Sequence, residues 1–163
     1  MSVAICPGSF DPITLGHLNI IRRTAQIFDK VIVCIMFNST KTTPMFSIDE
    51  RMEMVRKVVE RFPNVEVDTA DGLLAEYAKK YEGAVLVKGL RAASDFEYEF
   101  QMNLINKKIN PALETMFLTA NEKYTFLSSS VVREMARYGA DLSDFVPCEI
   151  IEDVEKKAQL WRR

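Results

Sequence analysis

The residues with the richest chemistry lie near the start of the chain, where positions 7–17 read PGSFDPITLGH and end on its only histidine, His17. An imidazole can donate a hydrogen bond, accept one or carry charge near neutral pH. Because the chain has one histidine, a histidine-rich metal site is excluded and any imidazole chemistry is located at His17. A short apolar run precedes this segment and a helical pattern follows it, and the amides at such a helix start are suited to bind phosphate.

Three further segments place cations or hydroxyls just after apolar runs. The first contains Lys41, the second contains Lys88 and Arg91, and the third contains the serine run at residues 128–130. If they converge on one site, such side chains match the charge of a polyphosphate. The function therefore depends on a fold that brings these segments together.

Apolar, β-branched runs alternate with helical periodicity along the whole chain. We predict strands at residues 3–6, 31–36, 65–67, 84–87 and 115–119. We predict helices at residues 16–28, 48–62, 73–81, 95–109, 128–138 and 149–161. This alternation predicts a single α/β domain over residues 1–163, with a Rossmann-like, doubly wound, five-stranded parallel sheet and helices on both faces. Ligands of such sheets bind beyond the carboxyl ends of the strands, which is where the cations and hydroxyls lie.

Two segments match the capping-box pattern, in which a serine caps a helix and a glutamate three residues later bonds back to it. They begin at Ser47 and at Ser94. In the helix after the second box, Phe96, Phe100 and Leu104 recur at helical spacing, so we expect this stripe to face the core.

The roles of Asp11 and of the serine run can each be interpreted in two ways. Asp11 can turn its loop or cap a helix, and we leave it outside the catalytic set. The serine run can serve as a helix cap, for which one serine is enough, whereas three in succession favour contact with phosphate.

Composition and missing motifs exclude several classes of protein. A net charge of −2 is unlike that of a nucleic-acid-binding domain, which is usually basic. The six glycines form neither G-x-G-x-x-G nor the Walker A pattern, which excludes the standard dehydrogenase and P-loop sites. The apolar runs are of strand length and no signal-peptide pattern begins the chain, so we expect no membrane partner. Three widely spaced cysteines have no zinc-site spacing and predict free thiols in a reducing cytoplasm.

Two motifs carry a resemblance to a known superfamily. Residues 14–17, TLGH, resemble the (T/H)xGH signature of the class I nucleotidyltransferases, and residues 128–133, SSSVVR, resemble the second signature of that superfamily. Nearly the whole chain resembles the bacterial phosphopantetheine adenylyltransferase family, most closely at residues 7–14, 44–46, 89–92 and 95–99.

This resemblance implies an enzyme that transfers AMP from ATP to 4′-phosphopantetheine and releases dephospho-CoA and pyrophosphate, late in coenzyme A synthesis. It also implies Mg²⁺ as a cofactor, a homohexamer, and coenzyme A as a feedback inhibitor. No pair of carboxylates stands out as a metal site, so we expect Mg²⁺ to arrive with the triphosphate. We expect no nucleic-acid partner.

The resemblance further implies a role for each matching residue. His17, Lys41 and Arg91 would be catalytic, with His17 on the α-phosphate and Lys41 between that phosphate and the incoming one. The phosphopantetheine site would contain Ser9, Lys41, Leu74 and Lys88. The ATP site would contain Ser9, Phe10, His17, Gly89, Leu90, Arg91, Glu99, Tyr124, Thr125, Phe126, Leu127, Ser128, Ser129 and Ser130. No residue is expected to bind metal directly.

Three positions depart from residues that are frequent in the family. Ser9 stands where threonine is often found, Tyr124 where some members have tryptophan, and Lys88 where arginine is usual. Lysine keeps the charge but lacks the bidentate geometry of a guanidinium, so the phosphate contact at Lys88 is expected to differ.

The implied reaction needs little proton transfer. A phosphate monoester is already a nucleophile near neutral pH, and the main obstacles are anion repulsion and misalignment. We therefore expect His17 to donate a hydrogen bond to the transition state. Two other functions stay open: an adenylyl- or cytidylyltransferase for another acceptor, such as nicotinamide mononucleotide or glycerol phosphate, and a non-catalytic domain that senses ATP.

Overall fold

The computed structural model describes residues 1–37 and 43–161, so Lys41 and the roles expected of it lie outside the described residues. Within them, parallel strands form a five-stranded sheet in the order β3-β2-β1-β4-β5. The strands are β1 (Val3–Gly8), β2 (Lys30–Met36), β3 (Val65–Ala70), β4 (Val85–Leu90) and β5 (Glu114–Thr119). The predicted doubly wound α/β fold is confirmed.

Helices connect the strands. In the described residues the α-helices are α1 (Leu15–Ile27), α2 (Ile48–Val59), α3 (Leu74–Tyr77), α4 (Ala93–Ile109), α5 (Ser129–Arg137) and α6 (Ile151–Trp161). The helix predicted at residues 73–81 is shorter than expected, because α3 ends at Tyr77 and continues as a 3₁₀ turn over Ala78–Lys80. None of the described helices is both long enough and apolar enough to cross a membrane.

Both faces of the sheet are covered, which explains why its central strands are apolar throughout. In β2, Val31, Val33 and Ile35 belong to one buried cluster, whereas Ile32 and Cys34 belong to a second cluster on the opposite face. Alternate side chains of a strand point to opposite faces, so a strand buried on both faces has no polar positions.

The first predicted capping box is confirmed at the start of α2. The Ser47 hydroxyl accepts a hydrogen bond from the Glu50 amide at 3.2 Å, and the Glu50 carboxylate accepts one from the Ser47 amide at 2.7 Å. The Lys157 ammonium on α6 donates to the same carboxylate at 2.7 Å. This bond to Lys157 is the largest of the causes that lower the pKa of Glu50. The cap therefore also joins α2 to α6.

The second predicted capping box is wrong. The residue before α4 is Ala92, which offers no side-chain cap, and Ser94 lies inside the first turn. The carboxylate of Asp95 instead accepts a hydrogen bond from the Arg91 amide at 3.2 Å. The chain leaves β4 at Leu90 and enters α4 at Ala93, so the helix begins too early for Ser94 to cap it.

The expected burial of the aromatic stripe on α4 is also wrong. Phe96 is 45% exposed, Phe100 is 48% exposed and Leu104 is 51% exposed. The helix packs on α3 and on the strands β4 and β5, of which β5 is at the edge of the sheet. A helix at a sheet edge is covered on one side, so its apolar residues on the other side stay at the surface.

The two serines give a direct test of the caps. Replacement of Ser47 by alanine removes the acceptor for the Glu50 amide and is expected to lower the free energy of unfolding by about 1 kcal/mol. The matched change Ser94→Ala, at another exposed helix start, should alter it by less than about 0.5 kcal/mol. Urea denaturation followed by circular dichroism measures both, and equal losses would contradict the assigned helix starts.

Candidate active site

The candidate site lies where the strand order reverses, between β1 and β4. These strands pair only at Ala4–Val85 and Ile5–Leu86, yet β1 continues to Gly8 and β4 to Leu90. Beyond the last pair the strands leave a crevice that opens into a cavity of about 350 Å³. A switch point of this kind is the usual ligand site of open parallel sheets.

Most of the predicted site residues line this one cavity. They come from the loop after β1, the start of α1, the end of β4, the first half of α4 and the segment that enters α5. They are Ser9, Phe10, His17, Lys88, Gly89, Arg91, Glu99, Tyr124, Leu127, Ser128, Ser129 and Ser130.

Close packing of α1 on β4 brings the histidine to the cavity. A methyl group placed on Gly89 would lie 2.9 Å from Cγ1 of Ile20, so a larger residue at the strand end would force the Ile20 side chain to shift. Ile20 follows His17 by about one helical turn, and both residues line the cavity.

The loop after β1 holds an unusual backbone conformation. Phe10 has a φ of 48°, in the left-handed region that costs a non-glycine residue roughly 1 kcal/mol or more. Its ring is buried and lies against Gly8, where a Cβ would come within 3.0 Å of the ring. This conformation places Phe10 beside the histidine, with the two ring centroids 5.0 Å apart in an edge-to-face contact.

The tautomer of His17 follows from its backbone partner. The amide of Thr14 donates to Nδ1 at 3.0 Å, while the His17 amide donates to the Thr14 hydroxyl at 3.2 Å. Together these bonds form a capping box at the start of α1 in which histidine takes the usual place of glutamate. Because Nδ1 accepts an N–H, the neutral ring carries its proton on Nε2. His17 is therefore set to act as a hydrogen-bond donor through Nε2.

Two cations at the end of β4 are held by carboxylates of α4. The Lys88 ammonium lies 2.6 Å from the Glu99 carboxylate, and each side chain is 21% exposed. The Arg91 guanidinium lies 3.3 Å from the Asp95 carboxylate and donates to the Leu127 carbonyl at 2.7 Å. An anionic ligand at these cations must therefore share them with Asp95 and Glu99.

The three serines before and within α5 have different partners. The Ser128 hydroxyl accepts from the Val131 amide at 3.2 Å and is the helix cap. The Ser129 hydroxyl donates to the Pro12 carbonyl at 2.7 Å, and the Ser130 hydroxyl accepts from Arg133 at 3.2 Å. Only one serine is a cap, and all three line the cavity.

Four of the described residues predicted for the site do not line this cavity. They are Leu74, Leu90, Thr125 and Phe126. The ring of Phe126 packs edge-on against Phe145 at 6.0 Å, and Leu74 packs on the buried cluster that contains Ile32. A second cavity of about 690 Å³ near α3 is lined by Leu73 and by Phe37, Pro44, Ser47, Ile48, Arg51, Asp71 and Gly72.

Two residues outside the predicted site have structural roles at the cavity: Cys6, which sequence reasoning did not connect with it, and Asp11, whose partners sequence reasoning left open. Cys6 lies on its wall, and burial raises the pKa of its thiol to about 12, so it is a packing group and not a nucleophile. Asp11 is 2% exposed, and its carboxylate accepts hydrogen bonds from the amides of Met45 and Phe46 at 3.0 and 2.9 Å. Both partners are more than thirty residues away in sequence, so no local pattern points to them.

A metal site does not emerge from the described side chains. Among residues 1–37 and 43–161, no three or more histidine, cysteine, aspartate or glutamate residues are grouped so as to hold a metal ion. The carboxylates of Asp95 and Glu99, which line the cavity, are paired with cations.

Comparison with known proteins places the fold in a class. A family model described as cytidylyltransferase-like matches residues 5–135. A putative nicotinate-nucleotide adenylyltransferase from Vibrio parahaemolyticus has the same fold, with a TM-score of 0.70 and 20% identity over 100% of this chain and 97% of that one. A bifunctional NMN adenylyltransferase/ADP ribose pyrophosphatase from Francisella tularensis, complexed with AMP and a manganese ion, has a TM-score of 0.71 and 15% identity over 99% of this chain and 52% of that one. The fold is that of the nucleotidyltransferases.

Closer relatives define the family. A phosphopantetheine adenylyltransferase from Caldanaerobacter subterraneus is 55% identical over 96% of this chain and 98% of its own length. Another from Desulforudis audaxviator is 53% identical over 92% of this chain and 91% of its own length. The chain belongs to the phosphopantetheine adenylyltransferase family.

Because His17 is the only histidine, its tautomer can be measured without assignment. Long-range ¹H–¹⁵N correlation spectra, recorded about two pH units above the usual imidazole pKa of ~6.5, should show a protonated Nε2 and an unprotonated Nδ1. The variant Thr14→Ala keeps the backbone amide and is expected to keep this tautomer. A proton on Nδ1 in the parent chain would contradict the assigned hydrogen bond.

Proposed function

We propose that the cavity between β1 and β4 binds ATP and 4′-phosphopantetheine side by side. The reaction of the chain is that of its family: it transfers the adenylyl group of ATP to 4′-phosphopantetheine, giving dephospho-CoA and pyrophosphate in coenzyme A biosynthesis. The observation that carries the proposed site is the convergence on one crevice of the only histidine, two cations and the serine run.

The reaction brings two anions together. The acceptor phosphate attacks the α-phosphorus of ATP, the bond from that phosphorus to the bridging oxygen breaks, and pyrophosphate leaves. Because the nucleophile is already ionised, the protein mainly has to align the two groups and neutralise their charge. A pre-shaped crevice with donors on several sides is suited to this task.

In this scheme His17 donates a hydrogen bond from Nε2 to an oxygen on the α-phosphorus. The Thr14 amide holds Nδ1, so the donor is oriented before the substrates bind. A donor fixed in this way costs no reorganisation when charge develops in the transition state, and one such donor is worth about 3–4 kcal/mol.

We propose that the binding site for 4′-phosphopantetheine starts at the loop after β1. The Ser9 hydroxyl and the Phe10 amide face the incoming phosphate and ATP, and Lys41 bridges the two phosphates. Lys88 contacts the acceptor phosphate as a point charge, because lysine cannot make the forked contact of an arginine. We propose that the pantetheine arm runs toward Leu74, beside the second cavity near α3.

The nucleotide side is proposed to include Gly89, Leu90, Arg91, Glu99 and the segment from Tyr124 to Ser130. The pair of Lys88 with Glu99 supports adjacent binding of acceptor and nucleotide, because one side chain of the pair is assigned to each substrate. Arg91 would neutralise the triphosphate while its bond to the Leu127 carbonyl holds it in the cavity.

We propose that Mg²⁺ enters with ATP as part of the substrate. The carboxylates that line the cavity are paired with Lys88 and Arg91, which leaves the triphosphate oxygens as the main ligands for the ion. Mg²⁺ is commonly held by substrate phosphates in this way.

The exposed face of α4 supports a further part of the proposal, that the chain forms a homohexamer. Phe96, Phe100 and Leu104 are apolar, and each is about half exposed. Apolar side chains clustered at a surface favour association with a protein partner, and a second copy of this chain presents the same face.

Two remaining parts concern regulation and location. Coenzyme A carries a pantetheine arm and an adenylate, so it would span both substrate sites and compete with them as a feedback inhibitor. Cys6, Cys34 and Cys148 are free thiols, which supports a reducing cytoplasm. We also propose that the chain works as a single nucleotidyltransferase domain without a nucleic-acid or membrane partner.

A panel of acceptors tests the function. The protein is incubated with ATP and Mg²⁺ plus 4′-phosphopantetheine, nicotinamide mononucleotide or glycerol phosphate, and pyrophosphate is followed. Release is expected only with 4′-phosphopantetheine, and dephosphorylated pantetheine should give none. Pyrophosphate release with another acceptor would show that the substrate is that acceptor. No release with any acceptor would contradict an enzymatic function and favour a domain that only binds ATP.

The same assay tests the role of His17. The change His17→Ala is expected to lower kcat by about 10²–10³-fold, because the oriented donor acts mainly in the transition state. ATP affinity, measured by calorimetry, should change little. An unchanged kcat would remove His17 from the mechanism.

The oligomer is tested by a charge on the exposed face of α4. The change Phe100→Asp should convert the parent assembly to a smaller species, measured by light scattering after size exclusion. Tyr138 at the end of α5 is also aromatic and is 77% exposed, so Tyr138→Asp is the control. This variant should form an assembly of the same mass as the parent protein. A monomeric parent chain would contradict the hexamer.

A further inference from the structure

A buried carboxylate just behind the cavity joins parts of the chain that are distant in sequence. Asp11 follows Phe10 in the loop after β1 but is not among the residues that line the cavity. Its two oxygens accept hydrogen bonds from the consecutive amides of Met45 and Phe46, at 3.0 and 2.9 Å. Met45 and Phe46 are themselves buried, so this contact is shielded from water.

Two arginines complete the surroundings of Asp11. Nε of Arg51, on α2, is 3.6 Å from one carboxylate oxygen, and Nη1 of Arg133, on α5, is 3.7 Å from the other. A buried carboxylate is tolerated when cations and N–H donors surround it, and these four groups offset the cost of burying Asp11.

The same arginines donate hydrogen bonds to the backbone of the loop that carries Ser9 and Phe10. Arg51 donates to the Ser9 carbonyl at 3.3 Å and to the Phe46 carbonyl at 2.9 Å. Arg133 donates to the Asp11 carbonyl at 2.7 Å. The Asp11 carboxylate is thus the common partner of two side chains, one from α2 and one from α5, that donate hydrogen bonds to the backbone of this loop.

The loop needs such a constraint because of Phe10. Its left-handed backbone is unfavourable for a residue with a side chain and persists only where the surroundings determine it. The residues on either side, Ser9 and Asp11, are the ones whose carbonyls the arginines hold. The result is a Phe10 ring fixed 5.0 Å from the ring of His17.

We propose that Asp11 is a positioning residue for adenylyl transfer: its carboxylate, through Arg51 and Arg133, holds Ser9 and Phe10 in register with His17. It touches no substrate. Its effect on turnover rests on the proposed roles of Ser9, Phe10 and His17 in the cavity, whereas its effect on loop geometry does not.

The nearly isosteric change Asp11→Asn tests this proposal. The amide has only one acceptor oxygen, so its NH₂ group must face the Met45 or the Phe46 amide, and both arginines lose their counter-charge. We expect kcat to fall by about 10–100-fold, as for a displacement of catalytic groups by up to 1 Å, with less than about a threefold change in ATP affinity.

A spectroscopic signature separates positioning from general loss of stability. With ring-¹³C-labelled histidine, the two carbon-bound ring protons of the only histidine report the position of the Phe10 ring through its ring current. Asp11→Asn is expected to shift these resonances. The measurement needs no turnover, so it tests the loop geometry even if the assigned roles of the cavity residues fail.

A matched control is available at Asp68 on β3. Its carboxylate also accepts two hydrogen bonds, from the Thr69 amide of the same strand at 2.8 Å and from the Tyr77 hydroxyl at 2.6 Å, and Tyr77 belongs to the buried cluster on the other face of the sheet. Asp68→Asn should lower Tm without moving the His17 resonances or reducing kcat. If it reproduces the kcat loss, or if Asp11→Asn leaves kcat within about twofold of the parent value, the proposal is overturned.

A second variant decides the matter if Asp11→Asn fails to fold. Arg133 is only partly buried, so Arg133→Met removes one cation and the bonds to the Asp11 carbonyl and the Ser130 hydroxyl at lower risk to the fold. It is expected to shift the His17 resonances in the folded protein and to lower kcat by several-fold. Because Ser130 is assigned to the nucleotide, the resonances and not kcat are the deciding measurement for this variant. Unmoved resonances in this variant would overturn the proposal.

Discussion

The short pairing of β1 with β4 is the constraint on which the candidate site depends. These two central strands meet only at Ala4–Val85 and Ile5–Leu86 and then separate toward their carboxyl ends. Because the sheet is parallel, the loops that follow both strands emerge at the same edge. The strand order therefore creates the cavity, and the other residues of the site line it.

Contacts within the chain hold the side chains that line the proposed site. The Thr14 amide sets the tautomer of His17, and α4 supplies a carboxylate for Lys88 and another for Arg91. Such preorganisation costs folding energy but spares reorganisation during the reaction, which is where electrostatic catalysis gains most. The Asp11 contacts add to this preorganisation. They stabilise the strained backbone of Phe10 beside the cavity and are not part of the cavity surface.

Helix α4 connects the site with the molecular surface. Its first turns carry Asp95 and Glu99 into the cavity, while Phe100 and Leu104 further along are about half exposed. The periodicity of the apolar stripe correctly indicates a helix, but it cannot tell whether the covering partner is the same chain or another. That is why the stripe looked like core in sequence and is surface in the folded chain.

Local sequence determined most of the architecture and the positions of the candidate site residues along the chain. Alternating apolar runs and helical patterns predict the α/β fold, and the motifs at residues 14–17 and 128–130 identify two walls of the cavity, because strand burial and helix periodicity are encoded over a few neighbouring residues. Tertiary structure alone decided the distant partners: Asp11 with amides more than thirty residues away, Lys88 with Glu99, and Ser129 with the Pro12 carbonyl. Only the folded chain brings such distant groups within hydrogen-bond distance, and sequence spacing carries no signal for contacts of that range.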